Sequence, residues 1–391
     1  MAPADPAIPL SPAVVPREYA LAACPVTEGN GVELLPGGSE AYPAMLRMIE
    51  AARTEVLLET YIFADDSTGR RFWDALVTAA ARGCVVRVMG DAVGSSAIPS
   101  HWIEELEMLG GQWLPYRPVA PWRRRWGVWR RDHRKVLVID EEVGFVGGLN
   151  IADEYDQGTP AGRSWRDLHL RISGPAVASL AQLFVRTWNA ECPHARRMQW
   201  HRPTIEHRAG GVAISIVGNR ETRHRSLIRH AFLYATRRAR RTILLANPYF
   251  IPDRAVFLNL AHAAGRGVDV RLVVPARSDI RLIDLAARWA FPRLLRAGVR
   301  IAEWPGMMHA KAATVDGSWS TVGSYNFDRR SLRFNLEVTA NVYDRGLGGI
   351  MEARLLDDFA RAREITVEEL DARPFVDRLL SSIAYRLRSF L

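Results

Sequence analysis

An eighteen-residue pattern occurs twice in this chain, and it constrains the fold more than any other feature. The first copy spans 133–150 and reads HRKVLVIDEEVGFVGGLN; the second spans 309–326 and reads HAKAATVDGSWSTVGSYN. Histidine, lysine, aspartate, glycine and asparagine recur at the same spacings in both copies. One such match is a weak signal, but two in one chain indicate an internal duplication.

Each copy predicts a β-hairpin that gathers polar side chains. The histidine and lysine are two residues apart and therefore face one side of a strand, and the apolar run after the turn returns antiparallel. This return brings the asparagine back beside the histidine. The gathered residues are His133, Lys135, Asn150 and the turn residue Asp140 in the first copy, and His309, Lys311, Asn326 and Asp316 in the second.

These side-chain types suit a bound phosphate. An ammonium supplies charge, a carboxamide supplies a directed donor, and an imidazole can attack phosphorus or move a proton. If the two hairpins face each other across a pseudo-two-fold axis, one histidine can be the nucleophile and the other the general acid and then the base. The two lysines neutralise the phosphoryl oxygens, and no cluster with metal-ligand spacing occurs, so no metal or other cofactor is predicted. The two aspartates belong to the candidate catalytic set, although capping is the commoner role at a turn.

The doubled pattern resembles the signature of the phospholipase D superfamily. The resemblance implies a covalent phosphohistidine intermediate and exchange at a phosphodiester. It also implies a carboxylate that orients each histidine, for which we assign Glu337 to His309 and Asp167 to His133. The candidate substrate-binding residues are Arg131, Trp129, Gly148, Ser324 and Tyr249.

The same order of elements is predicted twice around the motifs. The first repeat has helix 42–54, strand 56–63, helix 70–82 and strand 84–89; the second has helix 225–240, strand 242–246, helix 254–265 and strand 268–274. We therefore expect an α/β fold with two phospholipase D-like repeats, each a mixed, mostly parallel sheet flanked by helices, that share one active site. The expected boundaries are a mobile Ala/Pro-rich tail at 1–30, repeats at 31–205 and 206–374, and an amphipathic helix at 375–391.

Charge favours an anionic partner. The net charge is +9, and the stretch 121–131 holds five arginines and three tryptophans, which suits a lipid interface or a nucleic acid. The helix at 375–391 carries an apolar stripe that either lies on a membrane or packs on the protein. Three cysteines without paired spacing predict no disulfide framework and a reducing compartment. No run in the sequence is long enough to span a bilayer, so any contact with a membrane is expected to be peripheral.

Four further segments resemble bacterial cardiolipin synthases, in a short form without N-terminal membrane spans. They are 148–155 (GLNIADEY), 165–169 (WRDLH), 247–253 (NPYFIPD) and 326–337 (NFDRRSLRFNLE). The resemblance implies transfer of a phosphatidyl group from one phospholipid to an acceptor such as phosphatidylglycerol, with phosphatidylethanolamine as an alternative substrate. It predicts a peripheral protein on the cytoplasmic side of a bacterial membrane, with the anionic membrane surface as partner. It disfavours nucleic acid and does not define a partner protein. A phospholipase D-type hydrolase, a metal-independent nuclease and a silent anion-binding module are the rival functions.

Overall fold

The computed structural model describes residues 17–119, 129–156, 165–199, 211–219 and 227–387, and its centre is a mixed β-sheet of fifteen strands. The strands are β1 (Thr27–Pro36), β2 (Glu55–Thr60), β3 (Val85–Asp91), β4 (Gln112–Tyr116), β5 (Val136–Ile139), β6 (Val143–Gly147), β7 (Leu168–Ser173), β8 (Val212–Gly218), β9 (Thr242–Ala246), β10 (Asp269–Pro275), β11 (Arg300–Trp304), β12 (Ala312–Val315), β13 (Trp319–Gly323), β14 (Val338–Tyr343) and β15 (Arg363–Glu364).

The strand order shows the duplication. One half of the sheet runs β1-β7-β6-β5-β2-β3-β4, and the other half runs β8-β14-β13-β12-β9-β10-β11, with the short β15 at its end. The two halves join where β1 pairs antiparallel with β8. Strands β6 and β7 also lie against β13 and β14. The predicted pair of repeats is therefore present, and the repeats meet along their central strands.

Helices pack on the sheet in both halves. They are α1 (Gly38–Glu50), α2 (Ser67–Ala81), α3 (Ser100–Met108), α4 (Ala176–Glu191), α5 (Leu227–Arg237), α6 (Arg254–Gly265), α7 (Arg281–Arg296), α8 (Arg329–Arg333), α9 (Arg345–Arg361), α10 (Val367–Asp371) and α11 (Phe375–Arg386). One apolar core contains residues of both repeats, among them Leu170 and Phe184 with Val338 and Met351. Because this core crosses the repeat boundary, burial of apolar surface holds the two halves together.

Equivalent capping residues begin and end equivalent helices. Asp66 caps α2 by accepting from Gly69 N at 2.8 Å, and Asp253 caps α6 by accepting from Ala255 N at 2.7 Å. The chain leaves these helices through Gly83 and Gly267, whose φ angles of 91° and 88° suit glycine far better than other residues. These signals explain why helix 254–265 lies where the sequence predicts it. The predicted strand 242–246 is also confirmed.

The sheet is mixed, but it contains more antiparallel pairing than we expected. Among the described strands, parallel pairs occur in β2-β3-β4 and in β9-β10-β11, which are the β-α-β units read from the sequence. The motif hairpins β5-β6 and β12-β13 insert beside these units and add antiparallel neighbours on both sides. A hairpin must pair antiparallel with itself, so each inserted hairpin adds to the antiparallel pairing.

The expected mobile tail at 1–30 is wrong for its second half. Residues 1–16 lie outside the described residues, but Tyr19 and Cys24 are buried, and β1 begins at Thr27. Tyr19 donates a hydrogen bond of 2.8 Å to the Asp316 carboxylate of the second repeat. The segment 17–30 contains apolar residues such as Leu21 and Val26, but its packing against distant parts of the chain is not visible in its own sequence.

The C-terminal helix α11 packs on α7, but not through the stripe that the sequence singled out. Its buried residues are Ser381 and Ala384, and Tyr385 stacks on Trp289 of α7 with ring centroids 3.7 Å apart. Among the described residues of the predicted apolar stripe, Phe375 is 69% exposed, and Leu379, Ile383 and Leu387 are each more than 40% exposed. Residues 388–391 of the predicted helix lie outside the described residues. In the part of the chain that is described, no helix has the length and apolarity needed to cross a membrane.

Candidate active site

Each motif histidine is held by a carboxylate from the other repeat. His133 Nδ1 lies 3.1 Å from both Glu337 carboxylate oxygens, and His309 Nδ1 lies 2.6 Å from Asp167 Oδ2. The pairing that we assigned within each repeat is therefore wrong, and the structure crosses it. Both carboxylates are fully buried. A contact at Nδ1 directs the opposite ring nitrogen, Nε2, away from the carboxylate.

Short backbone contacts between the repeats cause this crossing. The residue before His133 forms a parallel bridge with Leu336, and His133 N donates to Leu336 O at 3.0 Å. Symmetrically, Arg166 bridges Met308, and His309 N donates to Arg166 O at 2.7 Å. Each histidine is therefore bonded through its backbone to the residue that directly precedes the other repeat's carboxylate.

The lysines and asparagines complete the site. Lys135 Nζ donates to His133 O at 2.7 Å, and Lys311 Nζ lies 2.9 Å from His309 Nε2. Asn150 donates from Nδ2 to Tyr155 at 2.7 Å and accepts at Oδ1 from Ile62 N. The Oδ1 atom of Asn326 is buried and has no hydrogen-bond partner within the described residues. Such an atom is suited to a substrate group, because a buried polar atom without a partner costs free energy.

A cavity of about 270 Å³ lies between the two histidines. Aromatic rings form part of its wall: Tyr61 stands edge-on to His133 at 5.2 Å, while Tyr155 and Trp165 contact His309 at 5.2 and 5.4 Å. Its wall includes both histidines and both motif asparagines, so the structure brings these predicted residues from the two repeats together.

Burial changes the acid–base behaviour of the site. It lowers the pKa of His133 and His309 to about 4, with help from the nearby lysines and against the pull of the carboxylates. Burial also lowers the pKa of Lys135 to about 7 and of Lys311 to about 8. An anion bound in the cavity opposes these downward shifts, because it favours the protonated form of each group.

The carboxylates are prepared to accept a cationic imidazole. Although burial opposes ionisation, the contact with His133 and the hydroxyl of Ser324 hold the pKa of Glu337 below its ordinary value. Ser331 donates a second hydroxyl hydrogen bond to Glu337 at 2.7 Å. The pKa of Asp167 is likewise lowered by His309 and nearby lysine charge, against its burial.

The motif aspartates have a structural role, so their place among the candidate catalytic residues is corrected. Asp140 accepts from the backbone N–H groups of Arg53, Thr54 and Glu55 at 2.8–3.0 Å. Asp316 accepts from the backbone N–H groups of three consecutive residues at 2.8–2.9 Å. Each aspartate ties its hairpin turn to the start of the neighbouring strand, β2 or β9, which pairs antiparallel with the hairpin. This contact lies at the end of the hairpin remote from the histidine.

The five candidate substrate-binding residues lie in different places, and two of them line the cavity. Arg131 and Tyr249 line the cavity, whereas Trp129 is 47% exposed and is not part of the cavity wall. Ser324 donates to Glu337, and Gly148 lies so close to Asp167 that a Cβ there would be 2.2 Å from a carboxylate oxygen. Gly148 and Ser324 therefore position the carboxylates. Most of the basic stretch 121–131 lies outside the described residues.

Several cavity residues were missed by sequence reasoning. Three of them lie in the segment 326–337, where their polar spacing could have identified them as site residues; they are Asp328, Arg330 and Asn335. Burial raises the pKa of Asp328 to about 7. Asp279 also lines the cavity, and nothing in its local sequence marks it. Across the described ranges, no group of three or more His, Cys, Asp or Glu residues could hold a metal ion.

The fold and the paired motif histidines define the class of protein as a two-repeat phospholipase D-like enzyme. A family model described as "Cardiolipin synthase, PLD-like domain" matches residues 45–188 and 233–361. A cardiolipin synthase A of Pseudomonas putida is 37% identical over 346 residues, which cover 88% of this chain and 71% of that protein. A cardiolipin synthase of Geobacillus thermodenitrificans is 34% identical and covers 95% of this chain and 75% of that protein. The chain belongs to the cardiolipin synthase family, a family of phosphatidyltransferases.

Two solved structures share the fold. A phosphatidylserine synthase of Haemophilus influenzae matches with a TM-score of 0.73 at 13% identity, over 94% of this chain and 96% of that one. A polyphosphate kinase of Porphyromonas gingivalis matches with a TM-score of 0.59 at 16% identity, over 92% of this chain and 53% of that one. At these identities the likeness concerns the fold.

Proposed function

We propose that the protein transfers a phosphatidyl group between phospholipids through a phosphohistidine, using phosphatidylglycerol as donor and acceptor. The observation that carries the proposal is the crossed arrangement, in which His133 with Glu337 and His309 with Asp167 line one cavity. Two oriented imidazoles beside two lysines suit a double displacement at phosphorus. Family membership supports a lipid phosphodiester as the substrate.

In the first step, we assign the nucleophile to His133. Its Nε2 forms a bond to phosphorus, the bond from phosphorus to the headgroup oxygen breaks, and His309 gives its proton to the leaving alkoxide. Glu337 stabilises the positive charge that develops on His133, as a carboxylate does behind any catalytic imidazole. Lys135 and Lys311 stabilise the phosphoryl oxygens.

In the second step, His309 removes the proton from the hydroxyl of an acceptor lipid. The acceptor oxygen attacks phosphorus, the bond to His133 breaks, and the histidine returns to its neutral form. With phosphatidylglycerol as acceptor the product is cardiolipin. If water takes the acceptor's place the product is phosphatidic acid, so exclusion of water from the phosphohistidine separates transfer from hydrolysis.

We also propose that the enzyme works at an anionic membrane surface, which it meets with α11 and the start of α7. Ile280 and Ile283 line the cavity, and Ile280 and Leu282 are more than 40% exposed. Helix α11 packs on α7 and adds its exposed apolar stripe to this face. The exposed basic residues of the two segments are Arg277, Arg281, Arg378 and Arg386. An apolar surface with arginines beside a lipid-processing cavity suits an interfacial helix.

The first experiment follows labelled phosphatidylglycerol in vesicles. We expect labelled cardiolipin from the purified protein, and a loss of at least about 10³-fold in turnover for His133→Ala and for His309→Ala. His101→Ala, which changes a surface histidine outside the cavity, is the matched control. Phosphatidic acid as the sole product would replace transfer by hydrolysis, and substantial turnover in either motif variant would refute the two-histidine site.

A further inference from the structure

The two repeats contribute unlike groups to the cavity, although their backbones are equivalent. Ile62 and Tyr249 each stand four residues before the N-cap aspartate of the following helix, and both line the cavity. The first repeat thus presents an aliphatic side chain where the second presents a phenol. This position breaks the symmetry of a site whose central residues are otherwise duplicated.

The phenol belongs to a polar pair. Tyr249 donates its hydroxyl to the Asp279 carboxylate, with oxygen–oxygen distances of 2.7 and 2.8 Å. Asp279 lies between β10 and α7, also lines the cavity, and is solvent-exposed. The phenol proton and the Ser278 hydroxyl, which lies 3.2 Å from Oδ1, do not saturate a carboxylate that accepts several hydrogen bonds, so Asp279 retains lone pairs for a ligand in the cavity.

The pair lies within electrostatic reach of the phosphate-binding centre. Burial lowers the pKa of Lys311 to about 8, and the Asp279 charge is among those that oppose this shift. A carboxylate at this place repels the substrate phosphate itself, so its useful partner is a hydrogen-bond donor next to the phosphate. The part of a phospholipid that carries such donors is its headgroup.

A double displacement needs a single headgroup position. The leaving alcohol departs from the side of phosphorus opposite the nucleophilic histidine, and the acceptor alcohol enters from that same side. A group that binds the headgroup therefore acts on the donor's leaving alcohol and on the acceptor's attacking alcohol alike. The same subsite therefore determines the selectivity for the donor and the selectivity for the acceptor.

We propose that Tyr249 and Asp279 form the headgroup subsite and select alcohols that carry a hydroxyl or an ammonium beside the phosphoester oxygen. This inference rests on the proposed phosphohistidine mechanism and adds its specificity determinant. Asp279 accepts the hydrogen bond from the headgroup, and Tyr249 fixes the orientation of the carboxylate. The aliphatic Ile62 at the equivalent place in the first repeat offers no such partner.

The test compares donors that differ in the headgroup alone. Initial rates of donor consumption are measured for phosphatidylglycerol, phosphatidylethanolamine and phosphatidyl-1-propanol, whose headgroup lacks a second polar group. The variants are Asp279→Asn and Tyr249→Phe. Asp357→Asn, an exposed aspartate that pairs with Arg361 on α9, is the matched control.

We expect the wild-type protein to prefer one of the two polar headgroups over propanol by about tenfold or more, and the preferred one tells hydroxyl from ammonium recognition. Asp279→Asn reduces this ratio by about tenfold, as expected for one charge-assisted hydrogen bond, and Tyr249→Phe reduces it less. Asp357→Asn retains the wild-type ratio. A wild-type ratio near one, or an equal loss on all donors in Asp279→Asn, overturns the subsite.

The same experiment separates the two proposals. Donor consumption is measured whether water or a lipid accepts the phosphatidyl group. A protein that only hydrolyses its donor would refute transfer, but the ratio of rates between polar headgroups and propanol would still test Asp279. The products of the wild-type reaction decide between cardiolipin and phosphatidic acid. If no donor is consumed at all, both proposals fail.

Discussion

At the scale of single residues, the site depends on contacts that cross between the repeats. Replacing Glu337 by Gln removes the charge that opposes burial at His133, so the pKa of His133 falls below about 4, while His309 keeps its own partner Asp167. We expect turnover to fall by about 10²–10⁴-fold. NMR titration of the histidine rings checks the assignment, and Asp167→Asn serves as the reciprocal control that moves His309. If Glu337→Gln changed the pKa of His309 instead, each carboxylate would be paired with the histidine of its own repeat.

The sequence predicted the members of the site better than their connections. The motif residues that line the cavity could be predicted because their spacing recurs in both copies of the pattern; they are His133, Asn150, His309 and Asn326. Whether Glu337 serves the histidine of its own repeat or of the other depends on how the halves dock. Docking is set by long-range contacts between β-strands, which a local pattern does not encode.

At the scale of elements, capping signals succeeded where apolar periodicity did not. The predicted helix 254–265 is confirmed, because Asp253 and Gly267 mark its ends. The predicted helix 42–54 is displaced, since α1 starts four residues earlier, at Gly38, and holds Pro43 within it. Its N-terminus lacks a side-chain cap, so the sequence gives no start signal there.

The exposed stripe of α11 supports a prediction about membrane binding. Leu379→Asp with Ile383→Asp places two charges on a face that is more than 40% exposed at both positions, so the fold should tolerate the change. We expect binding to vesicles containing phosphatidylglycerol to weaken by about tenfold or more, because burial of each aliphatic side chain contributes about 1.5–3 kcal/mol. Vesicle cosedimentation measures the change, and Ile350→Asp on α9 is the control. Unchanged partitioning, or an equal loss in the control, would exclude this face.

At the scale of the whole molecule, burial of the ionisable side chains in the active site lowers the stability of the folded protein. Burial lowers the pKa of Lys135 to about 7 in the folded chain, against an ordinary value of 10.5 in the unfolded chain. Between these values the unfolded chain binds more protons, so this lysine makes the folded state more stable as pH rises from about 7. The histidines, with a pKa of about 4 against 6.5, add a second window in which stability falls as pH drops below about 6.5.

Replacing the buried cation should therefore stabilise the protein while it abolishes activity. We expect Lys135→Met to raise the melting temperature at pH 7 by about 1–3 °C and to lower turnover by about 10²-fold or more. The gain should shrink at pH 9, where the wild-type amine is mostly neutral, and millimolar inorganic phosphate should stabilise the wild-type protein more than the variant because the anion pairs with the ammonium. Differential scanning calorimetry at the two pH values provides the measurement. A variant that melts below the wild type at pH 7 would show instead that the ammonium stabilises the empty site, through Glu337 and Asp167, more than its burial costs.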